Sequence, residues 1–338
     1  MLRSAGKVVV TCHHSPDGDA LAAVLAFSNS LRLVRWEVRA VSPSPVPQSY
    51  RFLPGWESIA VYRQDGPGQA IDPDAREALL GADMIVCLDC SDLDRLGPLY
   101  AENTEKFAAT PIINIDHHIS NSYYGGLDLV DPSAASVCEY LTLLMEREDL
   151  PITLEIASVL LVGVVADTQG FRTGATTAAT LKVAASLMER GASLSRASES
   201  LFNTRSAPAL RLWGRVLSRA HVDGRLVWAG IDREMLDESG ATMEDADSLV
   251  DFIAGVPGTS VAFLFSEEDG KIRVSMRTSQ ELNAAEMAGV FGGGGHPRAA
   301  GCTLDGPMAE VEERLLEEAR RRLNVLAAQR EGQQEIDA

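Results

Sequence analysis

Residues 7–19 read KVVVTCHHSPDGD, and this stretch joins an apolar, β-branched run to a group of histidines and aspartates. The apolar run predicts a buried strand, and Pro16 and Gly18 predict a tight loop after it. Ligands of open α/β sheets bind just beyond the carboxyl ends of the strands. A buried strand has no structural need for several ionisable groups at its tip. We therefore interpret the segment as one half of a metal site, with the other half farther along the chain.

Two further apolar segments, 82–89 and 111–118, also end in acidic or imidazole side chains. Helical spacers separate the three strands, which predicts an α/β fold with a parallel, doubly wound sheet whose carboxyl ends meet at one edge. Further helices are predicted at 134–147, 153–166 and 177–190.

The C-terminal part has a different pattern of predicted secondary structure. Strands are predicted at 225–231, 260–266 and 271–277, with a hairpin turn between the last two. They indicate a smaller α/β domain with a mixed sheet. We expect a catalytic domain at 1–190, a helical connector at 191–222 with a break near Pro208, the smaller domain at 223–328 and a frayed tail at 329–338.

The composition limits the partners that the chain can bind. A formal net charge of -18 excludes a broad basic face for long duplex nucleic acid, although a local metal cluster can still attract a small phosphorylated ligand. The longest apolar run, 156–166, is too short to span a bilayer, and the N-terminus has no signal-peptide pattern. We expect a soluble, cytoplasmic protein with no membrane partner.

The cysteines are not arranged as a disulfide framework, because there are five of them and they are scattered. Cys87 and Cys90 form a C-x-x-C pair, which occurs in redox motifs and in zinc half-sites. No second half-site follows, and Cys87 lies within an apolar run. We therefore interpret both residues as buried thiols.

Eight side chains at the predicted strand tips and loops are candidate metal ligands: His13, Asp17, Asp19, Asp89, Asp116, His117, His118 and Asp167. Carboxylates together with imidazoles suit Mn²⁺, Mg²⁺, Fe²⁺ or Zn²⁺, and the lack of thiolates in the set argues against a structural zinc. So many acids would repel one another without a cation. Two ions about 3.5–4 Å apart would generate a nucleophilic hydroxide and hold a phosphoryl oxygen. In the alternative interpretation, the acids cap helices and the histidines bond loop carbonyls.

These residues resemble, in order and spacing, the four motifs of the DHH phosphoesterase superfamily, which includes RecJ exonucleases, family II pyrophosphatases, oligoribonucleases and phosphodiesterases of cyclic dinucleotides. The matching positions are His13-x-x-Pro16-Asp17-Gly18-Asp19, Asp89, Asp116-His117-His118 and Asp167-Thr168. The resemblance implies two Mn²⁺ ions, with Mg²⁺ as an alternative, bridged by Asp89. The ligands would be His13, Asp17 and Asp89 for one ion, and Asp19, Asp89, His117 and Asp167 for the other. Asp116 is expected to orient His117, and His118 to face the substrate phosphate as an electrostatic or proton-donating group.

A glycine-rich segment, FGGGGHPRAAG at 291–301, is the second distinctive feature. Consecutive glycines let backbone N–H groups approach an anion closely, whereas the alternative interpretation is a flexible linker. The segment resembles the GGGH signature of the DHH-associated domain, and Ser275-Met276-Arg277 resembles that domain's Ser-x-Arg element. The resemblance implies that substrate is bound by Arg277, Gly293, Gly294, Gly295, His296 and Arg298.

The two resemblances together imply a two-metal phosphoesterase of the oligoribonuclease type. Its expected substrates are short oligoribonucleotides (nanoRNA and dinucleotides such as pApA), 3′-phosphoadenosine-5′-phosphate (pAp), or both, cleaved by a metal-bridging hydroxide. The alternatives are a phosphodiesterase of linear or cyclic signalling dinucleotides and a catalytically inactive nucleotide-binding protein. By the same analogy we expect a homodimer.

Overall fold

The structure, a computed structural model, describes residues 6–64, 70–203, 206–268 and 270–337. The chain divides into two compact units, residues 1–204 and 205–338. The division falls within the connector predicted at 191–222, whereas the predicted domain limits themselves stay predictions. Each unit is described by itself.

The first unit is built on a six-stranded parallel sheet. Its strands are β1 Lys7–Cys12, β2 Glu37–Ser42, β3 Ala60–Val61, β4 Met84–Leu88, β5 Ile112–Asp116 and β6 Leu127–Val130, in the spatial order β3-β2-β1-β4-β5-β6. All of the neighbouring pairs are parallel. The order reverses between β1 and β4, and such a switch point opens a crevice at the carboxyl ends of the two strands.

Helices cover both faces of this sheet. They are α1 Gly18–Leu33, α2 Pro73–Leu80, α3 Pro98–Ala101, α4 Thr104–Ala109, α5 Val137–Arg147, α6 Leu154–Asp167, α7 Ala178–Glu189 and α8 Leu194–Ser198. Alternate residues of β1 face opposite sides, so Val8 and Val10 join a core with α1, α5 and α6 while Val9 joins a second core with α2. The predicted doubly wound α/β sheet is therefore confirmed.

Local capping decides where these helices begin. Asp17 caps α1, because its Oδ1 accepts the N–H groups of Asp19 (3.1 Å) and Ala20 (3.0 Å). Helix α5 begins at Val137 rather than at the predicted residue 134, since Ser136 caps it by accepting the N–H of Glu139 at 2.9 Å. The short strands β3 and β6 were not predicted, because neither has the long apolar run of the central strands.

The predicted connector is not one continuous helix. It contains α8, a π-helical turn at Glu199–Asn203, and α9 Ala207–Ser218. Pro208 lies in the first turn of α9, where its missing N–H has no intrahelical partner to lose. The expected break near Pro208 is therefore a helix start.

The second unit contains a mixed six-stranded sheet, as predicted. Its strands are β7 His221–Asp223, β8 Leu226–Ile231, β9 Val261–Glu268, β10 Lys271–Thr278, β11 Gly294–Gly295 and β12 Ala299–Asp305, in the order β11-β12-β10-β9-β8-β7. Only β8 and β9 pair in parallel within this described sheet. The predicted hairpin between β9 and β10 is present, and its turn residue Asp269 lies outside the described residues.

Helices also pack on both faces of the second sheet. They are α10 Arg233–Ser239, α11 Leu249–Ala254, α12 Ala284–Gly289 and α13 Met308–Asp337. Short 3₁₀ turns lie at Gln48–Tyr50, Trp56–Ser58, Leu93–Leu96 and Met243–Ala246. The segment predicted to fray, 329–338, continues α13 as far as Asp337.

Among the described residues, no helix is both long enough and apolar enough to cross a bilayer. The five cysteines are free and buried, and burial raises the pKa of the Cys87 thiol to about 12. This agrees with the interpretation of Cys87 and Cys90 as buried thiols.

Candidate metal centre

The switch point between β1 and β4 collects the acidic and imidazole side chains that the sequence analysis singled out. His13 follows β1, Asp89 follows β4, Asp116 ends β5, and Asp167 ends α6. Three groups of these residues place one potential ligand atom each within 4.8 Å of one another. They are His13 with Asp17 and Asp89; Asp19 with His117 and Asp167; and Asp89 with Asp116, His117 and His118.

The first group presents its ligand atoms through backbone contacts. His13 Nδ1 lies 2.9 Å from the carbonyl of His14, so the ring donates there and directs Nε2 at the acids. Nε2 lies 3.9 Å from Asp17 Oδ2 and 3.8 Å from Asp89 Oδ2. Asp17 caps α1 with Oδ1 and therefore turns Oδ2 into the group.

The second group is arranged in the same way. His117 Nδ1 lies 3.2 Å from the carbonyl of Ala134, and Nε2 lies 3.6 Å from Asp167 Oδ2. Asp19 is held from behind by the start of α5, because Oδ2 accepts the N–H of Val137 at 2.6 Å and Oδ1 that of Cys138 at 3.1 Å. Each oxygen keeps a second lone pair for an ion.

Asp89 joins the two groups. Its carboxylate is 2% exposed, and Oδ1 accepts no hydrogen bond from the described residues although it lies 3.4 Å from His117 Nε2. An unpartnered buried carboxylate oxygen is costly, and a cation would satisfy it. The backbone of Asp89 has a φ of 55°, a left-handed conformation that is strained in a non-glycine residue. The donor set therefore fits divalent ions that Asp89 would bridge.

The electrostatics also favour a cation. Burial, with the neighbouring Asp89, raises the pKa of Asp167 to about 7, and burial raises the pKa of Asp19 as well. Burial alone would lower the pKa of His117, but Asp89 and the other acids outweigh it and raise that pKa to about 10. Without an ion the cluster therefore binds protons, which a divalent cation would displace.

The contacts of Asp116 differ from the role that was expected for it. We expected it to orient His117, but its Oδ1 lies 2.8 Å from the Nδ1 of His118 and accepts only the backbone N–H of His117. The ring of His117 is oriented by the Ala134 carbonyl instead. The carboxylate of Asp116 is fully buried, and its Oδ2 accepts a hydrogen bond from Asn121 Nδ2 at 2.6 Å.

Gly163 of α6 is a residue of the site that sequence reasoning missed. A Cβ at this position would lie 2.3 Å from Cys138 Sγ and 2.8 Å from Asp19 Oδ1. Only glycine therefore leaves room for the Asp19 carboxylate. The signal in the sequence was a glycine inside an otherwise apolar helix.

The glycine-rich segment of the second unit is ordered rather than a linker. Gly294 and Gly295 form β11, which pairs with Gly301 and Ala300 of β12. A Cβ on Gly293 would lie 2.2 Å from the Gly301 carbonyl oxygen, and Gly295 has a φ of 144°. Both glycines are therefore required by the fold. A Cβ on Gly294 would meet no atom of the described residues within 4 Å, so packing against them does not explain that glycine.

The charged residues predicted to contact substrate lie at the same end of the second sheet. Arg277 pairs in register with Ala299, next to the turn that contains His296. Its guanidinium forms a bidentate ion pair with Asp251, in which Nε donates to Oδ1 at 2.6 Å and Nη2 donates to Oδ2 at 3.1 Å. Arg298 donates to the backbone carbonyl of Leu282, which assigns it a part in anchoring the turn.

Comparison with known proteins shows which family the chain resembles. The model of the DHH family, N-terminal domain, matches residues 7–164, and that of the DHHA1 domain matches residues 225–325. A bifunctional oligoribonuclease and PAP phosphatase NrnA of Thermus thermophilus is 32% identical over 321 residues, which cover 94% of this chain and 90% of that relative. The chain belongs to the DHH family.

Other DHH-type relatives agree with this assignment. The enzyme of the same name from Bacillus subtilis is 26% identical over 301 residues, covering 88% of this chain and 89% of that relative. The crystal structure of an exopolyphosphatase-related protein from Bacteroides fragilis superposes with a TM-score of 0.84 at 25% identity, covering 95% and 93% of the two chains. The predicted membership of the DHH phosphoesterases is confirmed, and His13, Asp89 and His117 lie within the residues matched by the N-terminal model.

Proposed function

We propose that this DHH-family protein is a two-metal phosphoesterase that hydrolyses short oligoribonucleotides and pAp. The observation that carries the proposal is the buried Asp89 carboxylate, which faces His13 on one side and His117 on the other with Oδ1 unpartnered among the described residues. The names of the NrnA relatives support the choice of substrate. Carboxylate and imidazole donors without thiolates suit Mn²⁺, and Mg²⁺ can replace it.

The chain offers a separate ligand set for each of two ions. His13 and Asp17 would hold one, while Asp19, His117 and Asp167 would hold the other, with Asp89 between them. Bound divalent ions would lower the pKa of a coordinated water and neutralise phosphate charge. The protein itself orients the ligand side chains, since His13 and His117 are both fixed through Nδ1 by backbone carbonyls.

His118 would supply the proton that the leaving oxygen needs. Its Nδ1 is held by Asp116, so Nε2 is the ring nitrogen that can serve the substrate. Burial would lower the pKa of His118, but Asp116 and Asp89 outweigh it and raise that pKa, which favours the proton-carrying form.

Substrate recognition is proposed for the second unit, through Arg277, His296 and the glycines 293–295. Gly294 supports this proposal, because no described atom lies within 4 Å of the place that its Cβ would take, which leaves room for a ligand beside the glycine-rich segment. Arg298 would act through the turn that it anchors. A formal net charge of -18 suits substrates of a few nucleotides, which need one local anion site and no basic stripe.

We further propose a homodimer that acts in the cytoplasm. Helices α5, α6 and α7 each carry an exposed leucine: Leu143 is 43% exposed, Leu154 58% and Leu181 51%. Apolar side chains on neighbouring helices suit contact with a second copy. Sedimentation should give a mass near twice 36.3 kDa, and a mass near 36.3 kDa would exclude the dimer.

The test of the function compares pAp, pApA, a pentanucleotide RNA and cyclic di-AMP with Mn²⁺. We expect turnover of the first three, whereas turnover of cyclic di-AMP alone would favour a signalling phosphodiesterase. Asp89→Asn should reduce turnover by more than about 100-fold while the protein stays folded, because the shared ligand loses its charge. Nucleotide binding without hydrolysis under any divalent ion would identify an inactive binding protein.

A further inference from the structure

Asn121 is a buried residue that no part of the predicted site used. It is 6% exposed and lies on the loop after His118. Its Nδ2 lies 2.6 Å from Asp116 Oδ2, and its Oδ1 accepts the backbone N–H of Tyr123 at 2.8 Å. Because a backbone N–H can only donate, the amide has one orientation, with nitrogen towards Asp116.

A chain of hydrogen bonds holds this amide in place. Asn114 of β5 donates through Nδ2 to Asn121 Oδ1 at 2.9 Å and to Asp128 Oδ1 at 2.8 Å. Asp128 belongs to β6 and also accepts the N–H of Gly125 at 2.9 Å. The network therefore ties the loop to two adjacent strands, which makes it a rigid support.

The network ends on the carboxylate that holds His118. Asp116 is fully buried, and its Oδ1 receives both the His118 ring and the backbone N–H of His117. Oδ2 accepts a hydrogen bond from Asn121, so both carboxylate oxygens are hydrogen-bonded and the orientation of the carboxylate is fixed. A ring held by such a carboxylate has one orientation, with Nε2 as the reactive nitrogen.

We infer that Asn121 is a positioning residue, which fixes the Asp116 carboxylate so that His118 presents its Nε2 proton to the leaving oxygen. The inference rests on the proposed function. As the oxygen of the attacking water forms its bond to phosphorus, the bond from phosphorus to the leaving oxygen breaks. The leaving oxygen takes the proton from His118. The ring is then protonated again by the hydrogen ion that the attacking water lost.

The test uses two substrates that differ in their need for a proton. Hydrolysis of the dinucleotide pApA releases a ribose oxygen as an alkoxide, which must be protonated. Hydrolysis of the p-nitrophenyl ester of a nucleoside 5′-phosphate releases nitrophenolate, which needs no proton. Asn121→Asp keeps the size and the acceptor for Tyr123 but places a carboxylate oxygen against Asp116. We expect kcat for pApA to fall roughly 100-fold and kcat for the nitrophenyl ester to fall by less than about threefold.

Two controls separate positioning from general damage to the loop. Ser122 is the residue after Asn121 in the same loop, and its hydroxyl donates to the Ser91 carbonyl at 3.2 Å; Ser122→Ala removes that hydroxyl and should leave both rates unchanged. In a His118→Ala background, Asn121→Asp should have no further effect on pApA, because the group that it positions is absent. Asn121→Ala, which adds no charge, serves if Asn121→Asp does not fold.

Equal losses on the two substrates would overturn the inference, as would a full additional loss in the His118→Ala background. Both results would give Asn121 a purely structural part while leaving the proposed function intact. If the unmodified protein hydrolyses neither substrate with Mn²⁺, the proposed function and the inference fall together.

Discussion

Replacing Gly163 by alanine tests whether the back of the metal centre is as tightly packed as the structure shows. The new Cβ would lie 2.3 Å from Cys138 Sγ and 2.8 Å from Asp19 Oδ1, whereas ordinary contacts begin at 3.4 Å. Both side chains must therefore move, because the sulfur of Cys138 falls about 1.1 Å short of ordinary contact and the oxygen of Asp19 about 0.6 Å short. Moving Asp19 would also weaken its hydrogen bonds to the N–H groups at the start of α5.

The magnitude follows from three opposing effects. Overpacking a core costs about 1–3 kcal/mol, and weakening one charged hydrogen bond adds about 1.5 kcal/mol. Alanine in place of glycine inside a helix returns about 1 kcal/mol. We expect Gly163→Ala to lower the free energy of unfolding by roughly 2 kcal/mol and to weaken binding of one Mn²⁺ by about 10–100-fold.

The assay combines urea unfolding with calorimetric titration of Mn²⁺. Gly214→Ala is the matched control, because that glycine also lies inside a helix and its Cβ would meet no atom of the described part of the chain within 4 Å. Adding Cys138→Ala to Gly163→Ala should recover part of the stability but not the lost affinity, since the clash with Asp19 persists. If Gly163→Ala is as stable as Gly214→Ala and binds both ions normally, the assigned packing behind Asp19 is wrong.

Three further predictions concern the ions and the glycine segment. Because the pKa of Asp167 in the ion-free site is raised to about 7, the carboxyl is protonated below that pH, so Mn²⁺ affinity should fall as pH drops from 8 to 6; affinity independent of pH in calorimetry would contradict this. Chelating Mn²⁺ should lower the free energy of unfolding by about 2.7 kcal/mol per ion, relative to protein in the presence of free Mn²⁺ at about 100 times its Kd, and Asp89→Asn should show a smaller change. Gly294→Ala should raise KM for pApA without changing the melting temperature, whereas Gly293→Ala should destabilise the protein because of its contact with Gly301; an unchanged KM would remove Gly294 from the substrate site.

Much of the fold could be predicted from residue order alone. The central strands are recognisable as apolar β-branched runs, because strands buried on both faces need apolar residues on both sides. The short strands β3 and β6 carry no such run, and the glycine pair of β11 has no strand propensity. These three strands form because a neighbouring strand offers its unpaired backbone groups, which is a property of the assembled sheet.

The candidate ligands were likewise visible in the sequence, because the tips of parallel strands must converge at one edge. Their partners were not. The sequence places Asp116 next to His117, but the turn after β5 brings the His118 ring to its carboxylate. Arg298 could equally have faced a ligand, and the packing of its turn directs it to a backbone carbonyl.

What the sequence by itself determined is therefore the chemistry of the site: which acids and imidazoles stand at the ends of β1, β4, β5 and α6. Tertiary structure decided how those groups are held: the Ala134 carbonyl orients His117, Asn121 fixes Asp116, and Gly163 leaves room for Asp19. The physical reason is that strand and helix patterns depend on neighbours in sequence. Hydrogen-bond partners and steric room depend on neighbours in space.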